Sequence, residues 1–513
     1  MLVNKSQKKA FFQHNESTLN VPINRSSSVF YFLESNAVST QIHFMNYWLE
    51  KRNNKDILLK ITLRKMSGET IYNCEMEVFK IGAHVIHLKD LLKMLSFEEK
   101  CNEGSIELEF FSKQNLVMPY PALIIRYLGG DWHTSTHSTQ RNFSIDSGDT
   151  EARINEAYLA EEGNITIQNN TNYDPFFIIH NGKGSLKKVE LGVTITSESG
   201  EEMISIPINL DWGSFQTRFF ILGDLIDFRS FLGDQLGTFK VKFIVSGVFP
   251  RIIAGQRSLT DGHWSIDHTN FAATEGPVLD DVFDVCTEPN FKNLVFNVPN
   301  NFDDSWECFA DIYPTYPDKK YSVEVNIIDL HGQKIKSESL RLEKKSKNAL
   351  QRIECSDKGN YELIFNHEKS LPKRFHVGVQ YKIKSGNYGF LTDGPVPYDS
   401  HKITTRWMPL FDTSSCENFI LIADRTLGDL KSFKKNFIVK LFNSFGDNPL
   451  LSSFDLRAHE SKAQNVSDLF ENYDKFLNRQ TGWVYLTSET PHHCNVHYVS
   501  VRSGNSIACD HAF

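Results

Sequence analysis

Leu59-Lys-Ile-Thr-Leu63, followed within a few residues by Ser67-Gly68-Glu69, reads as a half-buried β-strand running into a tight turn. Apolar residues alternate with others at a period near two, and glycine then supplies a left-handed backbone at little cost. The same reading recurs three times. Val189-Glu-Leu-Gly-Val-Thr-Ile195 leads to Gly200, Val323-Glu-Val-Asn-Ile-Ile328 to Gly332, and Phe437-Ile-Val-Lys-Leu441 to Gly446. From Gly68 to Gly200 and from Gly200 to Gly332 are 132 residues each, and a further 114 lead to Gly446.

Two more marks keep register with these turns. Leu88-Lys-Asp-Leu-Leu92, Leu222-Gly-Asp-Leu-Ile226 and Val466-Ser-Asp-Leu-Phe470 each place an Asp in a short apolar run, a pattern expected to form a small helix capped by the carboxylate. The third copy lacks this mark. A second glycine then opens a strand in every copy, at Gly104, Gly237, Gly359 and Gly482. Repetition at a fixed long period predicts tandem domains, and short strands separated by turn signals predict sandwiches of two antiparallel sheets. The expected architecture is therefore all-β, four tandem immunoglobulin-like β-sandwich repeats with short helical inserts. Limits placed at the end of each copy's last strand give repeats of 1-148, 149-276, 277-411 and 412-513.

Composition agrees with this class. The 513 residues include 39 Phe, 17 Tyr and 7 Trp, an aromatic content that suits strands, and the charged fraction of 23% is ordinary for a globular chain. A net charge of -8, with 55 basic and 63 acidic residues, argues against an electrostatic grip on nucleic acid. No run approaches the ~20 apolar residues of a membrane-spanning helix. Polar Gln13, His14, Asn15 and Glu16 interrupt the N-terminal segment before an apolar leader region forms. The eight cysteines show no metal-type pairing, so free thiols in a reducing compartment, the cytoplasm, are expected.

Chemistry concentrates at the end of each copy. The first ends Asp131-Trp-His133, His137, Arg141 and Phe143; the second ends Asp261-Gly-His263, Trp264, His268 and Phe271. The third offers Asp399, His401 and Arg406, and the fourth Cys509-Asp-His511. Two imidazoles and a carboxylate make a facial metal set with open positions, so Asp131, His133 and His137, or Asp261, His263 and His268, are candidate ligands for zinc or iron. Strand parity aligns the first set and breaks the second, and a recurring histidine also suits a structural hydrogen bond. Cys494 among His492, His493 and His497 is a further metal candidate, though a histidine-rich turn explains it as well.

Trp132 and Trp264 beside these histidines, with Arg141, Arg406, His401 and His511 as polar partners, form an alternative set that would stack on and hydrogen-bond a glycan. Trp407 and Trp483 share that search image. No Gly-X-Ser-X-Gly elbow or glycine-rich phosphate loop is present. Two functions follow. The leading one is a non-enzymatic multi-domain binding or scaffold protein for a glycan or protein partner, with its oligomeric state open. The alternative is a metal-dependent enzyme using the Asp-X-His plus His sets of the first two repeats.

Overall fold

A computed structural model describes residues 23–95, 101–116, 121–137, 140–145, 149–168, 172–271, 293–313, 321–342, 350–367, 376–384, 388–394, 396–397, 403–424, 434–489 and 494–513. The fold is nearly all β, and the strands of the described residues gather into eight antiparallel sheets, two per repeat. In the first repeat an outer sheet runs, in hydrogen-bonded order, Asn24–Leu33, Glu103–Ser112, Leu58–Lys65 and Thr70–Glu77. Its inner sheet runs Ala83–His87, Ser39–Met45, Leu123–Leu128 and His133–His137. The fourth repeat has the same strand order, from Thr405–Leu410 to Ser506–His511, and the second and third keep the inner-sheet order while adding edge strands outside.

The repeating glycines do what their spacing predicts. Gly68, Gly200, Gly332 and Gly446 all have positive φ, between 81° and 91°, and each sits in the connection between two antiparallel strands. The Asp marks behave differently from expectation. Helix Leu88–Leu92 contains Asp90 within its own first turn and has no side-chain cap, and Asp224 closes a 3-10 turn rather than opening it. The capping oxygens belong to Asp227, before Phe228–Leu232, and to Asn465, before Val466–Leu469. Strand Thr405–Leu410 pairs with Gly482–Ser488, so the fourth sandwich takes in residues that the sequence reading left within 277-411.

Four apolar cores fill the sandwiches, and each one runs into its neighbour. Phe176, Ile178, Ile253, Trp264 and Ile266 of the second repeat join the core of the first. Tyr313, Leu350 and Phe390 of the third enter the core of the second, while Leu421, Val499, Val501, Ile507 and Cys509 of the fourth enter that of the third. Met45, Ala83 and Ile124 of the first repeat complete the core of the fourth. The cores therefore form a closed ring in which every repeat buries part of the next.

The last strand of each inner sheet faces the centre of that ring. His133–His137 lies against Trp264–His268 and Ser506–His511, and Tyr388–Asp393 closes the circle by packing on the latter two. Gly389 is required where the third and fourth repeats meet, since a Cβ there would stand 2.5 Å from Ile507 Cγ2 and 2.8 Å from Cys509 Sγ. Side chains rather than a shared sheet join these strands. Thr136 Oγ1 donates to Asp267 Oδ1 (3.2 Å), Ser265 Oγ to the Tyr388 carbonyl (2.6 Å), and the His133 amide to Ser506 Oγ (2.9 Å).

Candidate metal centre on the ring axis

The four axial strands end in matched dipeptides: Thr136-His137, Asp267-His268, Thr392-Asp393 and Asp510-His511. Three of the four corners thus carry an imidazole and one a carboxylate. One ligand atom from each of His137, His268, Asp510 and His511 lies within 4.8 Å of the other three. The His137 ring centroid is 4.2 Å from that of His268 and 4.5 Å from that of His511, both edge to face. His137, His268 and Asp510 are buried, whereas His511 is half-buried, so the cluster approaches solvent on the side of the fourth repeat.

Hydrogen bonds fix how the imidazoles can act. His137 Nδ1 donates to Asp510 Oδ2 (2.9 Å), which also accepts the His137 backbone N–H (2.8 Å). His268 Nδ1 donates to the Thr269 carbonyl (3.3 Å), and His511 Nδ1 to the Ala512 carbonyl (3.5 Å). An oxygen facing Nδ1 selects the Nδ1–H tautomer, which leaves a lone pair on Nε2 in all three rings. His268 Nε2 is buried without a hydrogen-bond partner, with Asp267 Oδ1 4.0 Å away.

Burial holds His137 and His268 well below the usual imidazole range, with His511 and the Arg251 guanidinium adding to the effect on both. They are neutral near pH 7, the form that binds a metal. Burial also raises the Asp267 carboxyl well above its usual range, reinforced by the Asp510 charge nearby. Asp510 is raised by burial too, against the opposing pull of His511 and His268. Two buried carboxyls, Asp267 and Asp510, beside the neutral imidazoles of His137 and His268 offer oxygen and nitrogen donors to a positive ion, with the Arg251 guanidinium as the neighbouring cation.

The sets expected from sequence are regrouped. His133 and His137 share a strand face but are four residues apart, roughly 13 Å at strand rise. They cannot grip one ion. His133 instead accepts from Arg126 Nη2 at Nδ1 (2.8 Å) and donates from Nε2 to the Ser500 carbonyl (3.0 Å), while Asp131 is exposed. Likewise His263 pairs with Asp261 (2.7 Å) at the start of its strand, far from His268 at the end. His511, read as a glycan contact, belongs with His137 and His268.

Trp132, Trp264, Trp407 and Trp483 are at most 7% exposed, so none offers an open stacking face. Arg141 is buried in a bidentate pair with Asp149 (2.7 and 2.8 Å). Arg406 is half-buried, with its guanidinium donating to the Thr405 carbonyl. Asp399 and His401 lie outside the described residues, as do His492 and His493. Cys494 is fully buried, and every described cysteine is a free thiol. What the sequence reading missed is Asp510 and the third corner, Asp393. Asp393 stands at the same point as His137 and His268, the end of the final hairpin strand, and Asp510 one residue earlier, so counting from that strand would have located them.

No family model matches the chain, and no curated protein matches it. Among solved structures, trypsin-activated alpha-2-macroglobulin from Escherichia coli aligns at 7% identity with a TM-score of 0.12, over 96% of this chain and 41% of that one. A glycosyl hydrolase family 2 member from Bacteroides cellulosilyticus aligns at 7% identity and a TM-score of 0.12, over 94% and 92% of the two chains. The chain spans about two fifths of the macroglobulin chain. Likeness at these scores carries no argument about activity.

Proposed function

We propose that this is a metal-binding scaffold protein, in which a divalent transition-metal ion on the ring axis staples the sandwich repeats together. The ligands would be Nε2 of His137, His268 and His511. Asp510 would serve as a fourth ligand or as the carboxylate that orients His137. The observation that carries this reading is the convergence itself: imidazoles from three different repeats, each with Nδ1 set against an oxygen, gather with Asp510 so that one ligand atom of each lies within 4.8 Å of the others. Nitrogen and oxygen donors without thiolate suit zinc or ferrous iron, and zinc commonly takes four such ligands.

Because ligands come from the first, second and fourth repeats, binding would couple directly to how the ring closes. Cobalt(II) titration of chelator-treated protein tests this. One equivalent should develop the visible absorption of a low-symmetry nitrogen-coordinated site and raise the melting temperature, and His268→Ala should abolish both. A featureless spectrum with an unchanged melting temperature would remove the proposal. A second reading, metal-dependent catalysis, draws support from the half-buried His511, which leaves one side of the cluster near solvent for a water or substrate oxygen.

A further inference from the structure

A cleft of about 340 Å³ lies between the third and fourth repeats, remote from the axial histidines in its lining. Phe302, Trp306 and Ile383 of the third repeat and Phe419, Ala463 and Val501 of the fourth form its apolar wall. Phe302 and Trp306 stack at 3.8 Å with their planes 7° apart, and Phe419 meets Phe302 edge to face at 5.6 Å, so the wall is rigid. Trp306 is half-buried, while the other six tryptophans of the chain are buried. It is therefore the one indole ring with surface to offer.

The polar part of the lining is one-sided. Its charged members are Asp303 and Glu417, both exposed carboxylates, and among the described residues no lysine or arginine lines the cleft. Asp303 accepts from the Ser305 hydroxyl and amide, and these hydrogen bonds hold its carboxyl below the usual carboxylate range. Among the described residues Glu417 has no ion-pair partner. The Asn301 amide Nδ2 donates to the Ser461 carbonyl, leaving its Oδ1 a buried acceptor without a partner. Of the two lysines that flank Ile383, Lys382 pairs with Glu307, while Lys384, whose backbone N–H donates to the Ser305 carbonyl, is exposed outside the lining. A cleft that carries two carboxylate charges and no lining cation among the described residues, beside aromatic rings, is complementary to a positive group that donates.

We infer that this interdomain cleft binds a primary amine carrying a compact apolar body. The ammonium would donate to Glu417 and Asp303, and the body would lie on Trp306 and Phe419. A neutral polyol would meet the acceptors but would leave both carboxylate charges uncompensated, so the charge decides between the two. The inference is independent of the axial metal.

The exposure of Trp306 alone supplies the assay. Phenethylammonium should protect the accessible tryptophan fluorescence from acrylamide quenching in a saturable manner. Trp306→Phe should remove the quenchable component, which assigns the signal, and Glu417→Gln, at an exposed position, should weaken protection about tenfold, the loss of one charge-assisted hydrogen bond. The uncharged 2-phenylethanol should protect at least as poorly as that variant. Absence of saturable protection by phenethylammonium, or equal protection by 2-phenylethanol, would overturn the inference.

Discussion

Replacing Arg126 by Met should open the ring at the seam between the first and fourth repeats. The Arg126 side chain is fully buried, and its guanidinium lies 4.3 Å over the Phe411 ring. Nε and Nη2 reach His133 Nδ1 at 3.2 and 2.8 Å, Nη2 reaches Cys416 Sγ at 3.1 Å, and Nη1 reaches Asp412 Oδ2 at 3.4 Å. Methionine fills much of the volume but leaves His133 Nδ1 without a donor, a cost of about 1–3 kcal/mol. Losing the buried cation–π contact adds about 2 kcal/mol. Relief of the arginine's own desolvation offsets part of this, while Asp412 keeps the hydroxyls of Ser414 and Ser415. The net expectation is a loss of about 3 kcal/mol, or roughly a hundredfold in the opening equilibrium. Native-state hydrogen exchange reads it locally, as faster exchange in Leu123–Leu128 and in Cys416–Asp424 together, with Arg126→Lys intermediate because it keeps the charge without the fork. Changes within about 0.5 kcal/mol, the range of ordinary surface substitutions, or acceleration confined to the first repeat, would refute the seam argument.

Acid should loosen the junction of the first and second repeats through His180. Burial, reinforced by the Arg64 charge, lowers its pKa to about 3. Below pH ~6.5 the unfolded chain therefore takes up a proton that the folded chain refuses until near pH 3, and stability falls across that window, by roughly 2 kcal/mol at pH 5. In urea unfolding at pH 7 and pH 5, His180→Asn should show a smaller acid loss than the wild type; identical pH dependence in the two would dismiss the assignment. Trp264→Ala should cost about 3–5 kcal/mol and loosen both of these repeats, since the indole meets Tyr31 and Tyr127 of the first and Phe176 and Phe219 of the second. Proteolysis that speeds up in the second repeat alone would contradict that sharing.

The sandwiches were legible because their signals are local. A strand that must turn sharply needs a residue tolerant of positive φ, and Gly68, Gly200, Gly332 and Gly446 announce that need at a regular spacing. The helix caps were less so: Asp90 and Asp468 occupy conspicuous positions, yet Asn465 and Asp227, one residue outside the helices, make the capping bonds. The axial site was half legible. His137 and His268 stood out, but they were grouped with His133 and His263, neighbours along a strand, when the true neighbours are across the ring. His137 and Asp510 are 373 residues apart and touch at 2.9 Å because the fourth core closes on the first. Such closure leaves no periodic trace in sequence. The tryptophans misled for a related reason: Trp132 and Trp264 look like loop residues beside polar runs, whereas the ring buries them at a junction between repeats.

The central claim rests on an ion held across three repeats, and the most direct measurement is the metal content of untagged protein, by mass spectrometry, for the wild type and for His268→Ala and His133→Ala. The account predicts one zinc or iron per chain in the wild type, its loss in His268→Ala, and its retention in His133→Ala, whose imidazole serves Arg126 instead. Metal-free wild-type protein that stays metal-free after incubation with zinc or iron, or metal lost from His133→Ala but kept by His268→Ala, would contradict it.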